Sequence, residues 1–504
     1  MFRWKATAAA LLVTSLALAG CAAGGSDEQT DEKALVLSAS FAPVSYDPAS
    51  AEWGNRSAYY QAVFDTLLLA DTDGSVQPWL ATEWSYNDDN TVLTLTLRDD
   101  VTFTDGSKLT ADVAAQNLQR FKDGVAPSAA NFTGVTSFEA TDDTTLVITL
   151  AAPDPAFLNY LTRDPGVVGS AESFDDPEIA TKPIGSGPYI LDTEASVGGS
   201  TYEYTKNPDY WNPDVQYYDK LTIRVLADPT AILNAIKADE LDMALILNTA
   251  RPEAESAGFT IVAQELDVYQ LLLLDRDGTM NPALGDVRVR QAINYALDRQ
   301  GLLQAIDAGF GTPTTQVFPE RSDAFDPALD DAYPYDPERA KELLEEAGHA
   351  DGFTLALPST NLLPSSTWTL IGQQLAEVGI TAEFTDTANN FIAEVLTPKF
   401  PAVYMPLQQN EDWELIQFMI APNAIFNPFH STDPAVEELL TEIQYGDEAA
   451  QADGAKELNA YLVEQGWFAP IYRVESAVAA SPGTDVERVP SNVYPSLYDI
   501  KPAG

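Results

Sequence analysis

Residues 77–121, QPWLATEWSYNDDNTVLTLTLRDDVTFTDGSKLTADVAAQNLQRF, carry the densest run of structural signals in the chain. Leu93, Leu95 and Leu97 alternate with Thr94 and Thr96, the period of a strand that buries one face, and the polar run Asn87 to Asn90 before them reads as a turn. Val101 and Phe103 predict a second short strand running to Asp105-Gly106, a pair suited to a tight turn. Thr110 is placed to accept the first free N–H groups of a helix, whose inner face is Ala114, Leu118 and Phe121.

Periodicity of this kind fits any α/β protein and leaves function open. The residue identities say more. Pro78-x-Leu80-Ala81-x-x-Trp84, a Leu/Thr strand ending in Arg98, Phe103-x-Asp105-Gly106 and Leu109-Thr110-Ala111-x-Val113 together resemble the signature region of family 5 of the bacterial extracellular solute-binding proteins. These are the dipeptide-, oligopeptide- and nickel-binding subunits of ABC importers. Further blocks follow the family order: Pro183-Ile184-Gly185-Ser186-Gly187-Pro188-Tyr189, Asn207 to Trp211, Leu221 to Val225, Val287 to Arg299 and Gln374 to Ile380.

The resemblance covers nearly all of the chain beyond its N-terminal segment. It implies an α/β fold, a two-lobed clamshell like the type II (cluster C) periplasmic binding proteins with an extra inserted subdomain. Residues 34–70, 183–268 and 470–504 would form lobe I, 71–182 its inserted subdomain, and 269–469 lobe II. The chain would cross between lobes near Gln264 to Asp275 and near Ala469 to Ala480, and ligand would close them about a hinge.

The N-terminus has its own logic. Arg3 and Lys5 precede an apolar run, Ala6 to Ala19, that ends in Leu18-Ala19-Gly20-Cys21. The run falls short of the ~20 residues that span a bilayer, so residues 1–20 read as a lipoprotein signal peptide and Cys21, the only cysteine, as the lipidation site. Residues 21–33 are small and polar, a tether reaching roughly 20 Å. The expected location is the extracytoplasmic face of the cell membrane, held by the lipid. Without its first 20 residues the chain still exceeds the ~250–300 at which one core stops growing, so at least two lobes are required.

Acidic residues number 76 against 27 Lys and Arg, for a net charge of −49, which makes nucleic acid or an anionic membrane face an improbable partner. No nucleophile elbow, phosphate loop or zinc-protease motif is present, and the two histidines, His349 and His430, have no second His or Cys nearby in sequence. No cofactor and no metal is therefore expected. Asp71 to Gly74 and Asp275 to Gly278 place glycine fourth, where a calcium loop of the EF-hand type needs it sixth, and so read as turns. Other expected elements are a strand over Ala34 to Ser38, a helix over Tyr59 to Leu69, a helix capped by Asp336-Pro337 and ended by Gly348, helices at Leu439 to Ile443 and Ala455 to Val463, and a returning strand at Ala469 to Tyr472.

Candidate ligand contacts follow from the resemblance. The loop after Asp47-Pro48 lines the cleft in the family, which points here to Trp53, Asn55, Arg56 and Ser57; Ser186 lies in the Gly/Pro turn. Peptide-binding relatives anchor the ligand's amino terminus on an Asp at the end of one strand. The matching place here is Gln409 or Asn410, with Glu411 and Asp412 just beyond, so the acid has shifted or the ligand lacks a free amine. Tyr404, Trp413, Asn423 and Phe426 complete the candidate wall. The expected function is capture of a short peptide, outside the membrane, by a monomer that delivers it to an ABC permease with its ATPase subunits; it breaks no bond and is not an enzyme. The alternatives are the same role with an oligosaccharide or metal chelate, or a secreted hydrolase using paired carboxylates.

Overall fold

The computed structural model describes residues 33–361, 363–490 and 492–504. The signal peptide, Cys21 and all of the tether but Lys33 lie outside the described residues.

A nine-stranded sheet organises the molecule. Its order is Tyr189–Val197, Thr201–Lys206, Lys220–Val225, Ala34–Ala39, Met243–Ile246, Phe468–Ala480, Thr260–Leu273 and Ala402–Gln408, with Gly311–Pro313 also paired to Phe468–Ala480. Ala34–Ala39 runs parallel to both of its neighbours, so the carboxyl ends of Ala34–Ala39, Lys220–Val225 and Met243–Ile246 open on the same side. Two strands are far longer than the rest. Thr260–Leu273 and Phe468–Ala480 pair antiparallel along their lengths, one end against Met243–Ile246 and the other against Ala402–Gln408. They are the two windows in which the chain was expected to cross.

At one end, a four-stranded antiparallel sheet, Ala81–Tyr86, Val92–Leu97, Thr145–Leu150 and Val135–Ala140, forms a separate layer with the helix Ala111–Lys122. Leu93, Leu95 and Leu97 are buried, as their alternation requires, and the Thr110 hydroxyl accepts from the Val113 N–H at 3.2 Å. At the other end the helices Val287–Tyr295, Arg299–Asp307, Pro337–Glu346 and Ser365–Glu377 surround a second core with the parallel pair Phe353–Ser359 and Ile380–Asp386. Asp336 caps its helix through the Arg339 N–H at 2.9 Å, and Gly348 takes a φ of +85° beyond its end.

Two expectations are corrected. The helix over Tyr59 to Leu69 is only Ser57–Val63, followed by the short strands Asp65–Thr66 and Leu68–Ala70. Its end is imposed from outside: the Gly187 N–H takes the Val63 carbonyl at 3.1 Å, and a Cβ on Gly185 would lie 1.9 Å from that same oxygen. Val101 and Phe103 make no strand either. The Phe103 and Ser107 backbones close a turn at 2.9 Å, leaving a single bridge between Thr102 and Lys108.

Candidate functional site

Halfway along the two long strands the ladder breaks. Glu265 faces Glu475, Asp267 faces Val474, and the residue between is a bulge that bends the pair. Arg473 stands beside it, fully buried, and bonds to Glu265 at 2.7 Å, to both Asp330 oxygens at 2.9 and 3.0 Å and to Glu320 at 3.3 Å. Burial raises the Asp330 carboxyl, but hydrogen bonds from Arg473, Thr314 and Gln316 outweigh it and hold the group below its usual range.

The edge strand Ala402–Gln408 ends next to this bulge, where the Gln409 N–H reaches the Leu266 carbonyl at 2.9 Å. The next residues form a second polar cluster. Arg321 donates to the Gln409 carbonyl and pairs with Glu411 at 3.3 Å, while Asp412 accepts from the Ser322 hydroxyl and, at 3.3 Å, from the Ala324 N–H. Burial pushes the Asp412 carboxyl up to about 6. Both acids expected to meet a positive ligand group are thus held by the protein itself.

The amides are not. Gln409 is 1% exposed, and neither its Oε1 nor its Nε2 has a partner among the described residues; Asn410, 7% exposed, has an unpartnered Oδ1. Gln270 is also 1% exposed with its Oε1 unpartnered, and by register it points to the same face of the sheet as Met405. A buried polar group without a partner costs about 1–3 kcal/mol, so such a concentration marks a place where partners are to be supplied.

Of the other expected contacts, Trp53 joins this region indirectly: its Nε1 donates to Asn492 Oδ1 at 3.0 Å, and the Asn492 carbonyl accepts from Gln264, at the bend, at 3.3 Å. Arg56 lies farther along the same loop, paired with Glu52, bonded to the Ala42 carbonyl at 2.8 Å and 5.3 Å over the Phe41 ring; Asn55 is exposed. Ser57 is buried at the start of its helix. Trp413 is buried in the core. Phe426 packs edge-on to Phe418 at 4.8 Å, and Asn423 is exposed. Tyr404 is fully buried between Tyr269 and Trp368, at 5.9 and 5.8 Å, inside the second core.

Ser186 sits elsewhere. It donates at 2.7 Å to Asp65, whose buried carboxylate also accepts from Trp79 at 2.8 Å, Tyr210 at 2.9 Å, Trp211 at 3.0 Å and Tyr498 at 3.2 Å. That cluster ties the Gly/Pro turn to the four-stranded layer. Sequence reasoning missed Gln264, Gln270, Arg321 and Arg473. Arg473 alone carried a local signal, a charge inside the apolar strand Phe468–Ala480.

Among the described residues no group of three or more His, Cys, Asp or Glu side chains is placed to hold a metal ion, and no helix is long and apolar enough to cross a membrane.

The chain matches the family model "Bacterial extracellular solute-binding proteins, family 5 Middle" over residues 75–436. It is 28% identical over 385 residues to the glutathione-binding protein GsiB of Escherichia coli O157:H7, covering 75% of this chain and 72% of that one. Among solved structures, DppA of Helicobacter pylori in complex with the peptide STSA is similar with a TM-score of 0.78 at 21% identity, covering 95% of this chain and 100% of that one. NikA of Brucella suis in complex with Fe(III)-EDTA gives 0.79 at 21% identity, over 93% and 100%. These matches show the two-lobed α/β clamshell of the type II periplasmic binding proteins. With the family model spanning most of its length, the chain belongs to family 5 of the bacterial extracellular solute-binding proteins.

Proposed function

We propose that this substrate-binding protein of an ABC importer captures a short peptide at the seam beside Gln409 and Asn410 and, anchored by lipid at Cys21, delivers it as a monomer to the permease. The observation that carries the ligand class is the Gln409 side chain, buried with a donor and an acceptor both unpartnered. A peptide unit offers the matching acceptor and donor at the same spacing, and backbone hydrogen bonding of this kind tolerates varied sequences. The relatives supply independent support, since one is a glutathione-binding protein and one structural neighbour holds a peptide. Lobe I is read as 34–70, 183–268 and 470–504, its inserted subdomain as 71–182 and lobe II as 269–469, with the bulged strand pair as the hinge.

A second reading, a non-peptide ligand such as an oligosaccharide or a metal chelate, is favoured by the engagement of Glu411 and Asp412 with Arg321 and Ser322. Neutral amides then remain as the free anchors, and a ligand amine has no open carboxylate in this segment. Calorimetric titration with the tetrapeptide Ser-Thr-Ser-Ala, glutathione and a nickel chelate separates the two. Peptide binding that Gln409→Ala weakens by roughly tenfold supports the first reading; heat from the chelate alone overturns it. Fractionation of Cys21→Ala tests the anchor, and unchanged membrane retention counts against it.

A further inference from the structure

Across the seam from the amide cluster, one ion pair joins the two bodies at a point that the ligand reading does not use. Arg163 follows the helix Phe157–Tyr160, whose Phe157 packs on Phe132 and through it on Phe138 of the four-stranded layer. Glu414 lies in the helix Asp412–Leu415, which continues directly from Gln409 to Glu411. The Arg163 Nη2 donates to Glu414 Oε2 at 2.6 Å, and each side chain is 14% exposed, so the pair is shielded from solvent rather than lying on a rim. A second bond crosses beside it: Gln444 Nε2 donates to the Pro153 carbonyl at 3.0 Å.

The short helix that carries Glu414 is gripped from both directions. Arg321, Ser322 and Ala324 hold its start from the lobe II side, through Glu411 and Asp412, while Arg163 holds Glu414 from the opposite body. It joins the sheet at the strand end Gln408 and through the Gln409 N–H on the Leu266 carbonyl at 2.9 Å, and its Trp413 and Leu415 are buried in the core. Arg163, through Glu414, is thus the contact from the opposite body that bears on where Gln409 and Asn410 sit. We infer that Arg163 is a positioning residue for ligand binding: it touches no ligand, and its pair with Glu414 closes the two bodies and fixes the Gln409–Trp413 segment in its binding geometry.

The proposal rests on the reading of that segment as ligand-lining, but it has a part that does not. Separating a shielded charge pair changes dissociation more than association, because the pair forms after encounter. With the tetrapeptide Ser-Thr-Ser-Ala as probe, Arg163→Gln and Glu414→Gln are each expected to raise the dissociation rate roughly tenfold while the association rate stays within about twofold. The double variant should lose no more than either single, and the exchanged pair Arg163→Glu with Glu414→Arg should recover most of the loss. A thermal melt beside each measurement separates positioning from unfolding. Wild-type dissociation in both single variants, or additive losses in the double, overturns the proposal.

Small-angle scattering at low salt is the arm independent of ligand. Each single variant is expected to show a larger radius of gyration than wild type and the exchanged pair the wild-type value; identical profiles throughout also overturn it. A wild-type chain that ignores the probe yet opens on loss of either charge sinks the peptide reading and leaves the closing pair standing.

Discussion

Asp65 is the residue on which four aromatic polar groups and a serine converge. Five donors from four distant segments meet one buried carboxylate: two indole N–H groups, two tyrosine hydroxyls and the Ser186 hydroxyl. Burial raises its pKa, and the hydrogen bonds act against that rise. An asparagine is nearly the same size but turns one acceptor into a donor, so it must point an N–H at other N–H or O–H groups. Asp65→Asn is therefore expected to cost about 1–3 kcal/mol, read as a lower urea midpoint with an unchanged slope. A wild-type midpoint would mean that the carboxyl is already protonated and donates a bond itself. Trp211 in the same cluster is covered on its other face by Arg98, 4.2 Å from the ring centroid, which gives a structural use to the arginine that ends the Leu/Thr strand.

At the level of elements, glycines separate what a local reading can find from what it cannot. Gly54 has free space and an ordinary backbone, Gly106 has free space but a φ of +83°, and Gly185 has no space at all. Gly54→Ala should leave stability within about 0.5 kcal/mol. Gly106→Ala should cost about 1–2 kcal/mol of backbone strain, and Gly185→Ala about 1–3 kcal/mol because the backbone at Val63 must move. Urea melts of the three give that order, and equal midpoints for Gly54→Ala and Gly185→Ala would refute the close approach. The turn at Gly106, the caps at Thr110 and Asp336 and the stop at Gly348 were legible because cause and effect lie within a few residues. The end of the Ser57–Val63 helix was not, since what stops it arrives with the Pro183–Tyr189 turn; Ser186 and Asp65 are 121 residues apart. The candidate site shows the same division. The segment Gln409–Trp413 was visible through its resemblance to relatives, but which of its polar groups are spent on Arg321 and Ser322 depends on a loop that sequence does not pair with it.

For the whole molecule, the seam that carries the Arg163–Glu414 pair also carries acids that resist ionising. Burial, reinforced by the charge of Glu414 and opposed by a bond from the Ala156 N–H, pushes Asp154 up to about 7; burial likewise pushes Asp164 up to about 6. Arg163, Glu414, Tyr60, Tyr86 and Tyr160 are the other titratable groups facing them. A carboxyl whose pKa is raised by closing favours the closed form while protonated, and that preference is lost as pH rises through the raised value. Affinity for a bound solute should accordingly fall between about pH 4, where an exposed carboxyl ionises, and about pH 7, and Asp154→Asn should flatten the profile. Calorimetry across that range checks it, and a profile that is flat in wild type excludes the coupling.

The position of Phe468–Ala480 has a consequence for how the chain is made. It is the last of the nine strands to leave the ribosome, yet it lies in the interior of the sheet, between Met243–Ile246 and Thr260–Leu273. Until it arrives the two strands that flank it have open edges, and the central ladder cannot be completed. The central sheet of a nascent chain is thereby left incomplete almost to its end, a condition that suits threading through a translocation channel. The same delay makes truncation severe. A chain stopped after Trp467 should aggregate rather than fold as a shortened protein, and a soluble, monomeric product of that length in size-exclusion chromatography would show that the sheet assembles without its final strand.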